Sequence, residues 1–175
     1  MPNYCSYNMK IIGSRKNCDE FIKRLKSYDE PNHFWRIFEA TVYDEQVADG
    51  DNSDNVSFSI DGYCAWSLES CCRSSGYSHG IDLFEVNTRD LNLKMEAYSR
   101  EPGLEFEEHY IYDHGECLAD ECVSIGVYWW DKDEYPTYEE YLADNEGAPP
   151  ECEFDENTDE ALIGGFGDSW GVWTI

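Results

Sequence analysis

Two histidines and two cysteines lie within fourteen residues of each other: His109, His114, Cys117 and Cys122. All four residue types ligate zinc, so this segment is the first candidate for a metal centre. Structural zinc sites, however, usually contain closely spaced Cys-x-x-Cys pairs, and successive side chains of a strand face opposite sides of a sheet. We therefore predict no metal site and no cofactor, with the thiols buried and the histidines on the surface.

Two acidic segments approach the pattern of a calcium-binding loop. Residues 49–60 begin correctly, but Asp54 stands where the loop needs Gly, and Ile60 where it needs a bidentate Glu. The segment that begins at Asp155 departs from the pattern at the same two places. The sequence also contains no G-x-S-x-G nucleophile motif, and the adjacent Cys71 and Cys72 favour a core position over catalysis. We therefore predict a protein that is not an enzyme.

The formal net charge of −26 is distributed very unevenly along the chain. Residues 1–100 carry 11 basic and 16 acidic side chains, whereas residues 101–175 carry one basic residue, Lys132, and 22 acidic ones. Solubility requires a net charge of only about 2–8 in magnitude, and nucleic-acid-binding domains are basic. The sequence therefore argues against direct binding to nucleic acid or to an anionic membrane. It favours a basic partner.

The acidic residues of the C-terminal part alternate with aromatic ones. In residues 150–161, six of twelve residues are Asp or Glu, with no Lys or Arg among them. Disordered acidic chains contain few aromatic residues, so we expect a folded scaffold that holds the carboxylates, with Tyr and Trp as anchors. The predicted partner-binding residues are Glu105, Glu107, Glu108, Asp131, Asp133, Glu134, Glu139, Glu140, Asp144, Glu146, Glu151, Glu153, Asp155, Glu156, Asp159 and Glu160, together with Trp129, Trp130 and Tyr138.

The elements that position these residues follow from the hydrophobic pattern. Ser14 can cap a helix, because its hydroxyl accepts a hydrogen bond from an amide of the first turn. Between residues 67 and 91 we expect one or two short helices. We predict strands at residues 4–12, 33–44, 56–66, 92–98, 104–113 and 116–130, helices at 15–28 and 136–145, turns at 49–55 and 114–115, and a docked strand within 165–175.

The order β-α-β-β-α-β up to residue 98 predicts an α+β, ferredoxin-like split βαβ fold with an antiparallel sheet. We expect residues 104–130 to extend that sheet by an extra hairpin. The predicted domains are a ferredoxin-like domain at 1–130 and an acidic, aromatic-rich C-terminal extension at 131–175, packed on the same domain.

Several short segments together suggest a family. They are MPNYCSYNMKIIG at the start, CAWS (64–67), ESCC (69–72), residues 90–116 and DECV (120–123). In these segments the chain resembles the YubB ferredoxin-like proteins of plasmids, phages and related mobile elements, over roughly residues 1–125. The resemblance implies the fold and a mobile-element setting. It carries over no functional residue.

We expect a cytoplasmic protein of a bacterial host, because the N-terminal residues lack the basic start and apolar run of a secretory signal. The 22 acidic residues match the formal charge of about 11 base pairs of DNA. The predicted function is therefore a nucleic-acid mimic that inhibits a CRISPR or restriction nuclease, with Glu139, Glu140, Asp144 and Glu146 as its central residues. Two alternatives remain open at this point: a regulatory protein-binding module that uses the aromatic surface, and a small metal-dependent enzyme.

Overall fold

The computed structural model describes residues 4–27, 34–47, 54–73 and 80–175. Within these ranges the chain forms seven strands and four α-helices. The strands are β1 (Tyr4–Ser14), β2 (Ile37–Val47), β3 (Asn55–Ala65), β4 (Lys94–Glu101), β5 (Phe106–Asp113), β6 (Glu116–Trp129) and β7 (Glu160–Gly164). The helices are α1 (Arg15–Leu25), α2 (Leu68–Cys72), α3 (Leu83–Asp90) and α4 (Tyr138–Asp144). The predicted turn at 49–55 lies mostly outside the described residues.

All seven strands form one antiparallel sheet in the order β2-β3-β1-β4-β5-β6-β7. The α+β class and the antiparallel extension of the sheet beyond β4 are therefore as predicted. The six strands that the sequence predicts between residues 4 and 130 are all present, and their ends differ from the predicted ones by a few residues. No helix in the described parts of the chain is long and apolar enough to cross a membrane.

One face of the sheet carries the main hydrophobic core. In β1 the alternate residues from Cys5 to Ile11 are buried, which matches the two-residue period of a strand. They share one cluster with buried residues of α1, α2 and α3, so these three helices cover the same face. Ser14 caps α1 as predicted, because its Oγ accepts from the amide of Asn17 at 3.4 Å. Cys71 and Cys72 are buried in this core, as the sequence indicates.

Strand β6 connects this core to a second, smaller one. The first part of β6, from Glu116 to Ser124, pairs with β5, and its last part, from Ile125 to Trp129, pairs with β7. Beyond this point Trp130, Tyr141, Phe154 and Ala161 form a separate buried cluster. The acidic C-terminal part therefore has a hydrophobic core of its own.

The prediction of a docked strand within residues 165–175 is wrong. This segment forms a short 3₁₀ turn at Gly167–Ser169 and otherwise irregular structure, and the strand in this region is β7, which precedes it. The reason is the glycine content: Gly165, Gly167 and Gly171 have positive φ angles, which interrupt an extended strand.

We predict that Gly62→Ala destabilises the protein, because a methyl group at this position would lie 1.9 Å from the carbonyl oxygen of Glu39. That carbonyl also accepts from the Tyr7 hydroxyl at 2.7 Å, so it is fixed on both sides. We expect a loss of about 1–3 kcal/mol in the free energy of unfolding, measured by urea denaturation. Asp61→Ala, at an exposed position of the same strand, should change it by less than about 0.5 kcal/mol.

Candidate protein-binding surface: the acidic lobe

Residues 126–164 form the part of the molecule that we call the acidic lobe. Its core is a cluster of aromatic rings around Trp130. The ring of Phe154 lies 5.9 Å from that of Trp130 and 5.7 Å from that of Tyr141, both in edge-to-face geometry. The indole N–H of Trp130 donates to the carbonyl oxygen of Tyr135 at 2.8 Å, so the polar atom of the buried ring is satisfied.

Some acidic residues of the lobe stabilise its own backbone. Glu140 and Thr137 form a capping box at the start of α4, in which each side chain accepts from the backbone amide of the other. Asp155 accepts from the amides of Asn157 and Thr158 at 2.8 and 3.0 Å. These backbone hydrogen bonds lower the pKa of the Asp155 carboxyl, so the turn that it closes also holds its negative charge.

Other acidic residues of the lobe have exposed carboxylates. Within the described residues, the side chains of five of them have no hydrogen-bond or ion-pair partner: Asp133, Glu139, Glu146, Glu153 and Glu156. The single basic residue of the lobe, Lys132, is paired with Asp159, and its ammonium lies 5.0 Å from the centre of the Trp130 ring. The lobe therefore displays negative charge without a positive charge that is free to compensate it.

The structure places most of the predicted partner-binding residues on this lobe. Asp159 and Glu160 are half-buried, as is Tyr138, whose hydroxyl donates to the carbonyl of Pro149. Trp129 is 58% exposed, whereas Trp130 is buried and serves as the core of the lobe. The exposed acidic residues of the prediction are Glu105, Asp131, Asp133, Glu134, Glu139, Glu140, Asp144, Glu146, Glu151, Glu153, Asp155 and Glu156. Of these, Glu105 alone lies outside the lobe, next to β5.

Glu107 and Glu108 are buried and have to be removed from the candidate surface. Both lie in β5, a strand that is covered on each face. Glu108 accepts from the amides of Leu68 and Glu69 at the start of α2, and from the hydroxyl of Ser99. Burial raises the pKa of the Glu108 carboxyl, and these hydrogen bonds oppose the rise. Its role is therefore to accept hydrogen bonds from the backbone amides at the start of α2, inside the protein.

Two clefts flank Trp130 on the surface of the lobe. The first, of about 430 Å³, is lined by both Trp129 and Trp130 and by Asp131, Asp133 and Asp159 among others. The second, of about 600 Å³, is lined by Trp130, Lys132, Cys152 and Phe154 and by the carboxylates of Glu151, Asp155 and Glu156. Carboxylates beside an aromatic ring are suited to Lys and Arg side chains, because the ring face and the carboxylates both attract a cation.

The four residues that could have formed a metal centre do not converge. His109 pairs with Glu121 across β5 and β6, whereas Cys122 pairs with Glu108, so these two side chains face opposite sides of the sheet. No group of three or more potential ligands that could hold a metal occurs among the described residues. The burial prediction was wrong for three of the four: Cys117 and Cys122 are exposed and His109 is buried, and only His114 is exposed as expected.

The structure also shows roles of individual residues that the sequence did not predict. Thr137 and Glu140 have the T-x-x-E spacing of a capping box, a signal that is visible in the sequence. Lys132, which joins Asp159 to the Trp130 ring, has no comparable signal. Comparison of the chain with protein-family models, with curated proteins and with solved structures finds no match. The arrangement of the acidic lobe is therefore the basis for any statement about function.

We predict that Phe154→Ala unfolds the acidic lobe while the main sheet persists. The variant removes the ring that contacts both Trp130 and Tyr141, and loss of a buried Phe costs about 3–5 kcal/mol. Hydrogen exchange should become fast in α4 and β7 and stay slow in β1 and β4. Leu142→Ala, at an exposed position of the lobe, is the matched control, and equal exchange in both variants would contradict a separate core.

We predict that Glu108→Gln destabilises the protein less at pH about 7 than at pH about 4. Because the folded-state pKa of Glu108 is raised, its favourable contribution is fully present below the unfolded pKa and is lost as the pH rises through the folded pKa. Gln resembles the protonated acid and lacks this dependence. Urea denaturation at both pH values measures the difference, with Glu105→Gln as the exposed control. An equal effect of Glu108→Gln at both pH values would show that the carboxyl is not destabilised.

Proposed function

We propose that this protein is a non-enzymatic inhibitor that occupies the nucleic-acid groove of a basic bacterial protein through its acidic lobe. The observation that carries the proposal is the composition of a folded element: the acidic lobe has thirteen acidic residues and a single basic one, Lys132. Lys132 is already paired with Asp159. A surface of this kind presents fixed negative charge to a partner, as the phosphate backbone of a nucleic acid does.

The physical mechanism is competition for cationic side chains. A nuclease holds phosphates with Lys and Arg, and the exposed carboxylates of the lobe form the same type of ion pair. Long-range attraction speeds the encounter, and it is screened within about 8 Å at physiological salt. Binding should therefore weaken as the salt concentration rises.

The aromatic residues of the lobe supply the second part of the interface. Trp129 is exposed beside the carboxylates of the smaller cleft, where an Arg side chain of the partner can stack on the indole and pair with Asp131 or Asp133. Tryptophan is enriched among residues that dominate binding energy, because it buries a large rigid surface. Charge then brings the partner to the lobe, and the indole retains it.

The setting that we propose is a cytoplasmic mobile-element protein of the YubB ferredoxin-like family, directed against a CRISPR or restriction nuclease of the host. The fold part of this proposal is supported by the order β2-β3-β1-β4, which is that of a split βαβ sheet, and by the three helices on one face. Proteins of many different functions share this arrangement of four strands and connecting helices, however. The proposed function therefore rests on the acidic lobe alone.

The experiment compares two variants with the same change in net charge. The test variant is Asp133→Asn, Glu139→Gln, Glu146→Gln and Glu153→Gln, four exposed carboxylates of the lobe that make no contact with its backbone. Glu140 is left intact, because it caps α4. The control variant neutralises Asp19, Asp61, Asp90 and Glu116, which are exposed on the main body of the protein.

Each protein is used to capture partners from bacterial lysate, and the captured nuclease is then purified and assayed for binding to labelled DNA or RNA. We expect the wild type and the control to displace the nucleic acid, and the displacement to fall with salt. At about 0.2–1 kcal/mol for each of four exposed ion pairs, the test variant should be weaker by about fourfold to several hundredfold.

Equal inhibition by both variants would refute the charge-based mechanism. If Trp129→Ala then abolishes binding while the test variant retains it, the protein is a binding module that uses its aromatic surface.

A further inference from the structure

The face of the sheet opposite the three helices is covered in part by residues 165–175, which we call the C-terminal strap. Under it lie Glu96, Tyr98, Glu107 and His109, which are 0%, 3%, 1% and 8% exposed. Burial of carboxylates is costly unless they are paired and hydrogen-bonded. The groups that pair with them are therefore informative about what this face binds.

The strap satisfies these carboxylates largely through its main chain. Glu96 accepts from the amides of Thr174 and Ile175 at 2.6 and 3.2 Å, and Glu107 accepts from the amide of Phe166 at 2.6 Å. In the opposite sense, the Tyr98 hydroxyl donates to the carbonyl of Val172 at 3.2 Å. The sheet face thus recognises both amides and a carbonyl of a peptide backbone.

The aromatic side chains of the strap add selectivity. Tyr98 stacks on His109 at 4.2 Å and contacts the rings of Trp170 and Trp173 at 5.5 and 5.8 Å. The guanidinium of Arg100 lies 4.4 Å from the centre of the Trp170 ring and is held by an ion pair with Glu107. The face therefore presents a ring platform and a cation that suit two indoles three positions apart in the sequence.

The strap is held on this face by hydrogen bonds and ring contacts and forms no strand of the sheet. Every one of its residues is at least partly exposed, and the segment is described throughout. Three of its residues, Gly165, Gly167 and Gly171, have positive φ, which interrupts regular extended structure. A regular sheet face thus holds an occupant of irregular structure.

We propose that this sheet face, formed by Glu96, Tyr98, Arg100, Glu107 and His109, is a peptide-binding site that the C-terminal strap occupies in the isolated protein. The ligand is a segment of a partner protein with two tryptophans spaced as in the strap. Such a segment binds by displacing the strap. The proposal is independent of the acidic lobe, and either can fail without the other.

The test uses full-length protein with a weakened strap. Gly167 and Gly171 have positive φ and open space around the position of a Cβ atom, so Gly167→Ala with Gly171→Ala strains the strap without creating a clash. A second variant, Trp170→Ala with Trp173→Ala, removes the indoles. Hydrogen exchange of the strap and of β4 shows in each variant whether the strap opens while the sheet stays folded.

The probe is a dye-labelled peptide with the sequence of residues 165–175, and the control peptide has both tryptophans replaced by alanine. A tethered segment competes at an effective concentration in the millimolar range, so the wild type should bind the probe at least about tenfold more weakly than the variants. Binding of the probe to both variants, with little binding of the control peptide, is the expected result.

Three results would overturn the proposal. In the first, neither variant opens the strap before global unfolding, which makes the strap an integral part of the fold. In the second, the strap opens but the probe does not bind, or binds no better than the control peptide. In the third, the variants form concentration-dependent dimers that the probe dissociates, which identifies the strap of a second copy as the occupant.

Discussion

The length of β6 is the constraint on which the rest of the structure depends. The last five of the 14 residues of β6, Ile125–Trp129, continue past the end of β5, so at about 3.3 Å per residue β6 extends about 16 Å beyond its partner. An unpaired strand end exposes backbone groups and apolar side chains, and β7 pairs with this end. The aromatic cluster around Trp130 can form only because this extension carries it away from the main core.

A second consequence is the division of the acidic residues into two groups. In β5, Glu107 and Glu108 lie between the main core and the C-terminal strap, where each carboxylate is fixed by amides, hydroxyls or Arg100. On the extension the buried cluster consists of Trp130, Tyr141, Phe154 and Ala161, and residues such as Glu139 and Glu153 remain in solvent. The same residue type therefore stabilises the fold in one place and supplies surface charge in another.

The sequence alone predicts the local structure. It does not predict which acidic residues are buried and which are exposed. Alternation of apolar and polar residues located β1 and the other internal strands, and Ser14 marked the start of α1, because these signals are local. Glu107 and Glu108 were placed on a surface because burial of a carboxylate depends on partners that are distant in sequence, here Arg100, Leu68 and Phe166. The aromatic C-terminal segment indicated a strand, but its glycines adopt conformations that no strand allows.

The acidic lobe and the C-terminal strap are joined at Gly164 and Gly165, and this joint is tight. A side chain at Gly165 would lie 2.3 Å from a carboxylate oxygen of Glu107, the residue that also accepts the amide of Phe166. Rotation at the joint therefore requires that the Glu107 carboxylate loses a strap amide, while its ion pair with Arg100 remains. Gly164 pairs with Ile125 of β6, and the amide of Gly165 donates to the carbonyl of Ser124 at 3.2 Å, so a movement that leaves the lobe intact has to begin after Gly165. The geometry thus separates release of the strap from the stability of the lobe, although the two are adjacent in the chain.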